Sequence, residues 1–214
     1  MTADFNRRQL LGVLPMPTAA LADTDHIVKL PAPAIQAAGE LMAALKARRS
    51  TRAFAAKPLP MDLLSTLLWA AFGVNRPESG GRTAPSAHGW QEVEVYAVLA
   101  DAAYRYDARA NALVSVAKGD LRALTGVQDF VGTAPLNLVY VADFERMKDA
   151  SDEDHIFYAS ADAGVIAQNV YLFCAANRLA TVVRGLVDRK HLAPALGLGQ
   201  KQRIVLAQTV GYPA

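Results

Sequence analysis

Arg48-Arg49-Ser50-Thr51-Arg52-Ala53-Phe54 gathers three guanidiniums and two hydroxyls within its first five residues. Arginine forks match phosphate oxygens two at a time, and a hydroxyl adds a further hydrogen bond. The run is therefore a candidate anion site. A basic helix C-terminus, favoured by the helix dipole, is the simpler reading of the same residues. The segment before it, residues 34–48, is helical by pattern: Ile35, Ala38, Leu41, Met42 and Leu45 recur at three- and four-residue spacing.

Residues 60–73 repeat that pattern through Leu63, Leu64, Leu67, Leu68 and Ala71, with Pro60 at the start and Gly73 at the end. Residues 73–89 are rich in Gly, Pro, Ser and Asn and read as a loop. Val93, Val95, Ala97 and Leu99 alternate as in a strand. Two short strands, 103–106 and 112–117, flank an Arg109-Ala110-Asn111 turn, and residues 120–125 and 127–132 read as short helices. Residues 136–141 form a continuous apolar strand between Pro135 and Asp143. Residues 152–178 are the longest helical stretch, and Ala159, Ala161, Ala163, Gly164 and Ala167 suit a central helix or a dimer seam. A strand over 181–187, a helix over 188–196 and a strand over 203–210 complete the chain before Gly211-Tyr212-Pro213. Helices and strands do not alternate strictly, so the class is α+β rather than a doubly wound sheet.

Composition sets the outer bounds. With 52% hydrophobic residues among 214, the chain is not wholly disordered, and one domain with a short appendage fits. Lys and Arg number 22 against 20 Asp and Glu, and no long basic run occurs, so nucleic acid is not an expected partner. Pro, Gly or charge cuts every apolar stretch short of about 18 residues, so no membrane span is expected. One cysteine excludes an internal disulfide and a Cys-based zinc site, and no metal is expected. Cys174 reads as a packed core thiol, and Trp69, Phe72 and Tyr171 as core aromatics.

Residues 1–22 read as an address. Arg7-Arg8 precede a modest apolar run that ends in Ala20-Leu21-Ala22, the pattern of a twin-arginine export signal, which implies a periplasmic or exported protein with a cytoplasmic location as the alternative. Residues 23–33 then form a linker or arm, and residues 34–214 the domain.

Two further segments carry candidate chemistry. In Arg82-Thr83-Ala84-Pro85-Ser86-Ala87-His88-Gly89 the small residues admit a flat ligand close to the backbone, although an ordinary surface loop reads the same. No G-x-S-x-G elbow supports Ser86 as a nucleophile. In Val183-Arg184-Gly185 an extended backbone ending in glycine can present amides to a ligand.

These three segments, in this order, carry a resemblance. With Leu67-Leu68-Trp69-Ala70-Ala71-Phe72-Gly73, Asn75-Arg76, Val93-Glu94-Val95-Tyr96, Ala134-Pro135-Leu136, Gly164, Gln168-Asn169 and Gly211-Tyr212-Pro213, the chain resembles the FMN-dependent nitroreductase superfamily. The likeness is nearest to its SagB-type branch, the thiazole/oxazole dehydrogenases, and covers residues 35–213. The resemblance implies a mainly antiparallel central sheet flanked by helices, and an intertwined homodimer with FMN at the interface. It implies that Arg48, Ser50 and Arg52, with Arg49 less directly, hold the FMN phosphate and ribityl chain. Pro85, Ser86 and Ala87 would lie against the isoalloxazine ring. Arg184 and Gly185 would lie near flavin N5, the backbone amide mattering more than the Arg184 side chain. His88 and Trp90 would shape the substrate pocket. Relatives carry a basic residue close after Gly-Tyr-Pro where this chain has Ala214, so Arg48 and Arg52 hold the phosphate alone or another cation helps.

The activity so implied is transfer of hydride from NAD(P)H through flavin N5 to an electron-poor small molecule such as a nitroaromatic or quinone. The flavin carries the redox chemistry, so no catalytic side chain is required. Oxidation of azoline rings in modified peptides, a non-catalytic flavin-binding protein and a secreted interaction module are the alternatives.

Overall fold

The computed structural model describes residues 39–214. The export signal over 1–22, the arm over 23–33 and the start of the helix expected from residue 34 lie outside them. Helix α1 spans Gly39–Ala47 and α2 spans Met61–Phe72. Pro60 at the N-cap and Gly73 at the C-cap close α2 where the sequence placed its punctuation. Strands β1 (Val74–Arg76) and β2 (Gly81–Arg82) form a small antiparallel pair. Then come β3 (Val93–Val98), β4 (Ala102–Asp107), β5 (Ala112–Lys118) and β6 (Leu136–Asp143). The chain continues through α3 (Asp152–Ala176), β7 (Ala180–Arg184), α4 (Arg189–Ala195) and β8 (Gln202–Gly211).

Strands β3 to β8 make one six-stranded sheet in the order β5-β4-β3-β6-β8-β7, every pairing antiparallel. The α+β class and the helix-flanked antiparallel sheet are therefore as expected. Leu64, Leu67 and Leu68 of α2 and Ile166 and Val170 of α3 pack with Val93, Val95, Leu138 and Tyr140 in one core. Tyr96, Val98, Val139 and Val141 meet Leu192 and Leu196 around α4 in a second. Cover on both faces explains why β6, apart from Asn137, reads as an apolar run up to Asp143 rather than an alternation. Each fully buried leucine contributes roughly 2 kcal/mol.

The 25-residue α3 is the scaffold of the site. Ser151 and Asp154 close its N-terminus with a reciprocal capping box. Its buried side carries Ala159, Ala163, Ile166, Ala167, Val170 and Cys174. Ala161, Gly164 and Val165 are exposed, with Phe157 64% accessible on the same stretch. Small residues thus serve two faces, one packed within the chain and one open.

Three expectations are corrected. Residues 73–89 are not all loop, because β1 and β2 fall inside them. Residues 127–132 form turns, not a helix. Side chains divert the backbone there: Asn137 Nδ2 donates to the Val131 carbonyl at 2.8 Å, and Arg122 Nη1 to the nearby Ala134 carbonyl at 2.9 Å. Trp69 is 44% exposed rather than core. Its indole N–H needs an acceptor and finds the Val74 carbonyl at 3.1 Å, which holds the ring at the surface.

Candidate functional site

Beyond α1 the chain runs as a strap along β7. The Thr51 N–H donates to the Thr181 carbonyl at 2.9 Å, and Phe54 bridges Pro213. Tyr171 of α3 ties the strap to the strand. Its hydroxyl lies 2.8 Å from Ser50 Oγ and accepts from the Val183 N–H at 2.9 Å. Either hydroxyl can supply the proton of the Ser50–Tyr171 bond. Arg48 stacks over the Tyr171 ring, 5.4 Å from its centroid.

A cleft of about 560 Å³ opens here, with Lys46, Arg48, Arg49 and Arg178 in its lining together with Tyr171 and Thr181. Among the described residues no Asp or Glu side chain lines it. Among the described residues none of the four cations is paired with an acid. Arg178 follows α3 in a left-handed conformation, φ 57°, a strain of about 1 kcal/mol for a residue with a Cβ. Arg178 and Lys46 bring further positive charge to the cleft beside Arg48 and Arg49. Arg52 is exposed on the strap. α1 ends at Ala47 and the Arg48 N–H still donates to the Ala44 carbonyl at 2.8 Å, so Arg48 also sits at the helix C-terminus, where its charge is favoured, while Thr51 and Phe54 belong to the strap.

β7 carries the next pair. The Arg184 side chain is 5% exposed and points into the fold, where Nη1 donates to the Thr125 carbonyl at 2.6 Å and Nη2 to Asn137 Oδ1 at 3.0 Å. Burial pulls its pKa down to about 10, so it stays charged at neutrality with only neutral acceptors. Gly185 behind it is exposed, a Cβ there would meet nothing within 4 Å, and no backbone acceptor takes its N–H among the described residues. Arg184 anchors the strand end, and Gly185 presents an open amide.

Pro85, Ser86 and Ala87 sit elsewhere, on the N-terminal half of α3. Gln91 N–H donates to Ser86 Oγ at 2.8 Å, so the Ser86 proton goes to Glu92 Oε2 at 3.1 Å. Ala87 N–H donates to Asp162 Oδ2 at 2.9 Å. Glu92 is 0% exposed and its Oε1 has no donor partner. Burial, with the Asp162 carboxyl as a like-charged neighbour, raises its pKa. A proton on Oε1 would give this unpartnered buried atom a hydrogen to donate. A raised folded-state pKa means stability is full below the ordinary carboxylate range and falls as pH rises through the folded value. Glu92→Gln, which carries the donor permanently, is therefore expected to remove that decline and to be the more stable protein at about pH 8. Urea unfolding at a series of pH values checks this, and equal slopes for the two proteins would refute it.

Asp162 and Tyr171 lie about two and a half turns apart on α3, hence on opposite sides of it and about 13 Å apart along its axis. Within one chain the structure brings Arg48 and Ser50 together at Tyr171, which also binds Val183 two residues before Gly185, and it holds the Pro85-Ser86-Ala87 loop on the other half of α3. His88 (φ 52°) stacks with Trp90, centroids 4.4 Å apart, and both meet Tyr158 of α3 edge-on. Sequence reading missed Tyr171 as a polar hinge, Glu92 and Asp162 as a buried pair, and Arg178. Only Glu92, an acid directly before an apolar strand, left a signal.

A family model described as the nitroreductase family matches residues 45–212. The chain belongs to the nitroreductase family, whose members are oxidoreductases. A solved nitroreductase-like protein of Ralstonia eutropha is 43% identical, with 95% of this chain and 96% of that one covered and a TM-score of 0.79. A nitroreductase-like protein of Methanocaldococcus jannaschii is 32% identical over 64% of this chain and 74% of its own length. A nitroreductase-like protein of Desulfovibrio desulfuricans, solved in complex with FMN, shares the fold at 22% identity, 81% and 86% coverage and a TM-score of 0.59. Among the described residues no helix is long and apolar enough to cross a membrane.

Proposed function

We propose that this protein is an FMN-dependent NAD(P)H oxidoreductase of nitroreductase type, acting as a homodimer on a small electron-poor acceptor such as a nitroaromatic or quinone. The observation that carries the reading is the Ser50–Tyr171–Val183 link, which sets an acid-free cationic cleft against a strand end with an open amide. One scaffold thus offers a place for a phosphate and a donor for the edge of a ring. Arg48, Ser50, Arg52 and Arg178 would hold the phosphate end, and the Gly185 N–H the ring end. FMN, when bound, supplies the hydride acceptance and donation at N5. Pro85, Ser86 and Ala87, fixed through Glu92 and Asp162, would form a wall against the ring. His88 and Trp90 would bound the acceptor pocket. The open face of α3, with Phe157, Ala161, Gly164 and Val165, supports a second copy as the source of that wall, because the two halves of the site stand apart in one chain. The FMN-bound relative supports the cofactor.

The purified protein should be yellow, bleach on anaerobic addition of NADH or NADPH, and recover colour with a nitroaromatic. A colourless protein that takes up no FMN would end this reading. Bound FMN that neither nicotinamide bleaches, with oxidation of an azoline-bearing peptide, would instead place the protein with the SagB-type dehydrogenases. Bound FMN without any turnover would make it a flavin-binding protein.

A further inference from the structure

A second cationic cavity lies away from the Arg48 cleft. β6 follows β3 from Val98 back to Val93, whereas β4 pairs with β3 only from Val98 to Tyr96. The first residues of β3 therefore have a sheet neighbour on one side only. A cavity of about 250 Å³ opens in that wedge, lined by Arg82, Arg105, Arg109 and Arg146 with Glu94 and Asp107 as its acids. Four guanidiniums thus meet two carboxylates.

Both acids are already engaged. Glu94 Oε1 accepts from Arg146 Nη2 at 2.7 Å and from Arg105 Nη1 at 3.4 Å, and Oε2 accepts from Gln202 Nε2 at 3.1 Å. Asp107 turns back on its own loop, where Oδ1 accepts from the Arg109 and Ala110 N–H groups at 2.9 and 3.1 Å. Two cations are left over. Arg82 uses Nε on Gln91 Oε1 and Nη1 on the Phe72 carbonyl, and Nη2 has no partner. Arg109 makes no side-chain hydrogen bond among the described residues. Burial lowers the Arg82 pKa and the like charges of Arg109 and Arg146 lower it further, although Tyr106 and Asp107 work the other way. Four guanidiniums reach one small cavity from β2, β4, the turn after it and the segment beyond β6, and Glu94 bridges only two of them.

We propose that the wedge between β3 and β4 is a second anion site that takes a dianionic phosphoryl group. Arg105 pairs with Glu94, and Arg146 with Glu94 and Asp143, whereas Arg82 and Arg109 make no salt bridge among the described residues, so two guanidiniums are free to answer a phosphate dianion. Tetrahedral oxygens also accept from guanidiniums that arrive from several directions, as planar carboxylates do less well. The site is wired to the Pro85-Ser86-Ala87 loop, because Gln91 accepts from Arg82 and donates to Ser86. The wedge and the loop thus share one hydrogen-bonded chain.

The test titrates the full chain with inorganic phosphate against chloride at fixed ionic strength, without added FMN, by equilibrium dialysis. Wild type is expected to bind phosphate at the wedge and at the Arg48 cleft. Arg109→Gln, exposed and without side-chain partners, should weaken the wedge component about tenfold, the loss of one charged hydrogen bond. Arg48→Gln should keep that component. Thermal unfolding in chloride confirms that both variants fold. An Arg109→Gln titration that superimposes on wild type, or phosphate that binds no better than chloride, would overturn the proposal. Competition by a nucleoside 2′-phosphate would assign the group to a phosphorylated nicotinamide, and its absence to free phosphate or a phosphorylated acceptor. The FMN reading can fail while this site stands, because the two variants report separately.

Discussion

Arg184→Met should cost about 3 kcal/mol of stability and lower the melting temperature by about 10 °C. Methionine keeps most of the buried stem, so the loss is polar. The guanidinium donates to Thr209 Oγ1 at 3.1 Å, the Thr125 carbonyl at 2.6 Å and Asn137 Oδ1 at 3.0 Å. Without it, the Thr125 carbonyl and Thr209 Oγ1 keep their desolvation penalty and lose their donor, at about 1–3 kcal/mol each, while Asn137 Oδ1 keeps the Thr209 hydroxyl as a donor at 2.6 Å. Relief from burying an unpaired cation offsets part of that sum. Gly126 belongs to the same arrangement, because a Cβ there would overlap the guanidinium. The effect should not vary between about pH 5 and pH 8. The folded-state pKa near 10 lies below the unfolded one, so a pH slope, with stability rising, begins only in the alkaline range. Urea unfolding of Met and Lys variants checks the claim. Lysine restores charge but not the fork, so it should recover only part of the loss. A Met variant within about 0.5 kcal/mol of wild type would show that the network contributes nothing net.

That network was illegible in the sequence, and the reason is general. Arg184 read as one member of a Val-Arg-Gly strand end, and nothing local says which way a strand side chain points. Its partners Thr125, Asn137 and Thr209 come from three distant segments. The helices and strands, by contrast, follow from short-range pattern. Leu63 to Ala71 repeat at helical spacing, and β6 is apolar because both of its faces are covered. The sheet order β5-β4-β3-β6-β8-β7 needs long-range pairing and was not derivable from periodicity. At the site, the Arg48-Arg49-Ser50 run was legible as charge and hydroxyls. Tyr171 was not: an aromatic at helical spacing looks like core until its hydroxyl is placed between Ser50 and Val183. Trp69 errs in the opposite sense, since its indole N–H drew it to the surface.

Arg48→Gln should weaken FMN binding by about 100-fold and leave riboflavin binding unchanged, within the proposed function. Arg48 stands between two environments. Its stem and guanidinium lie over the Tyr171 ring at 5.4 Å, so the side chain is held in the cleft. No acid competes for it among the described residues. A charge-assisted fork so held contributes about 1.5–3 kcal/mol to an anion, or about 10- to 150-fold in affinity. Its order in the free protein places the loss near the upper end. Arg48→Lys keeps the charge without the fork and should lose about tenfold. Ser50→Ala should lose less than Arg48→Gln, because Tyr171 shares that hydroxyl. Arg178→Gln should fall between Ser50→Ala and Arg48→Gln if the strained turn after α3 aims its charge into the same cleft. Riboflavin lacks the phosphate, so it separates anion binding from damage to the fold. Flavin fluorescence titrations give both affinities from one preparation. Equal losses for FMN and riboflavin would move the phosphate away from Arg48, and the strap would then be a structural edge to β7 rather than the mouth of a cofactor site.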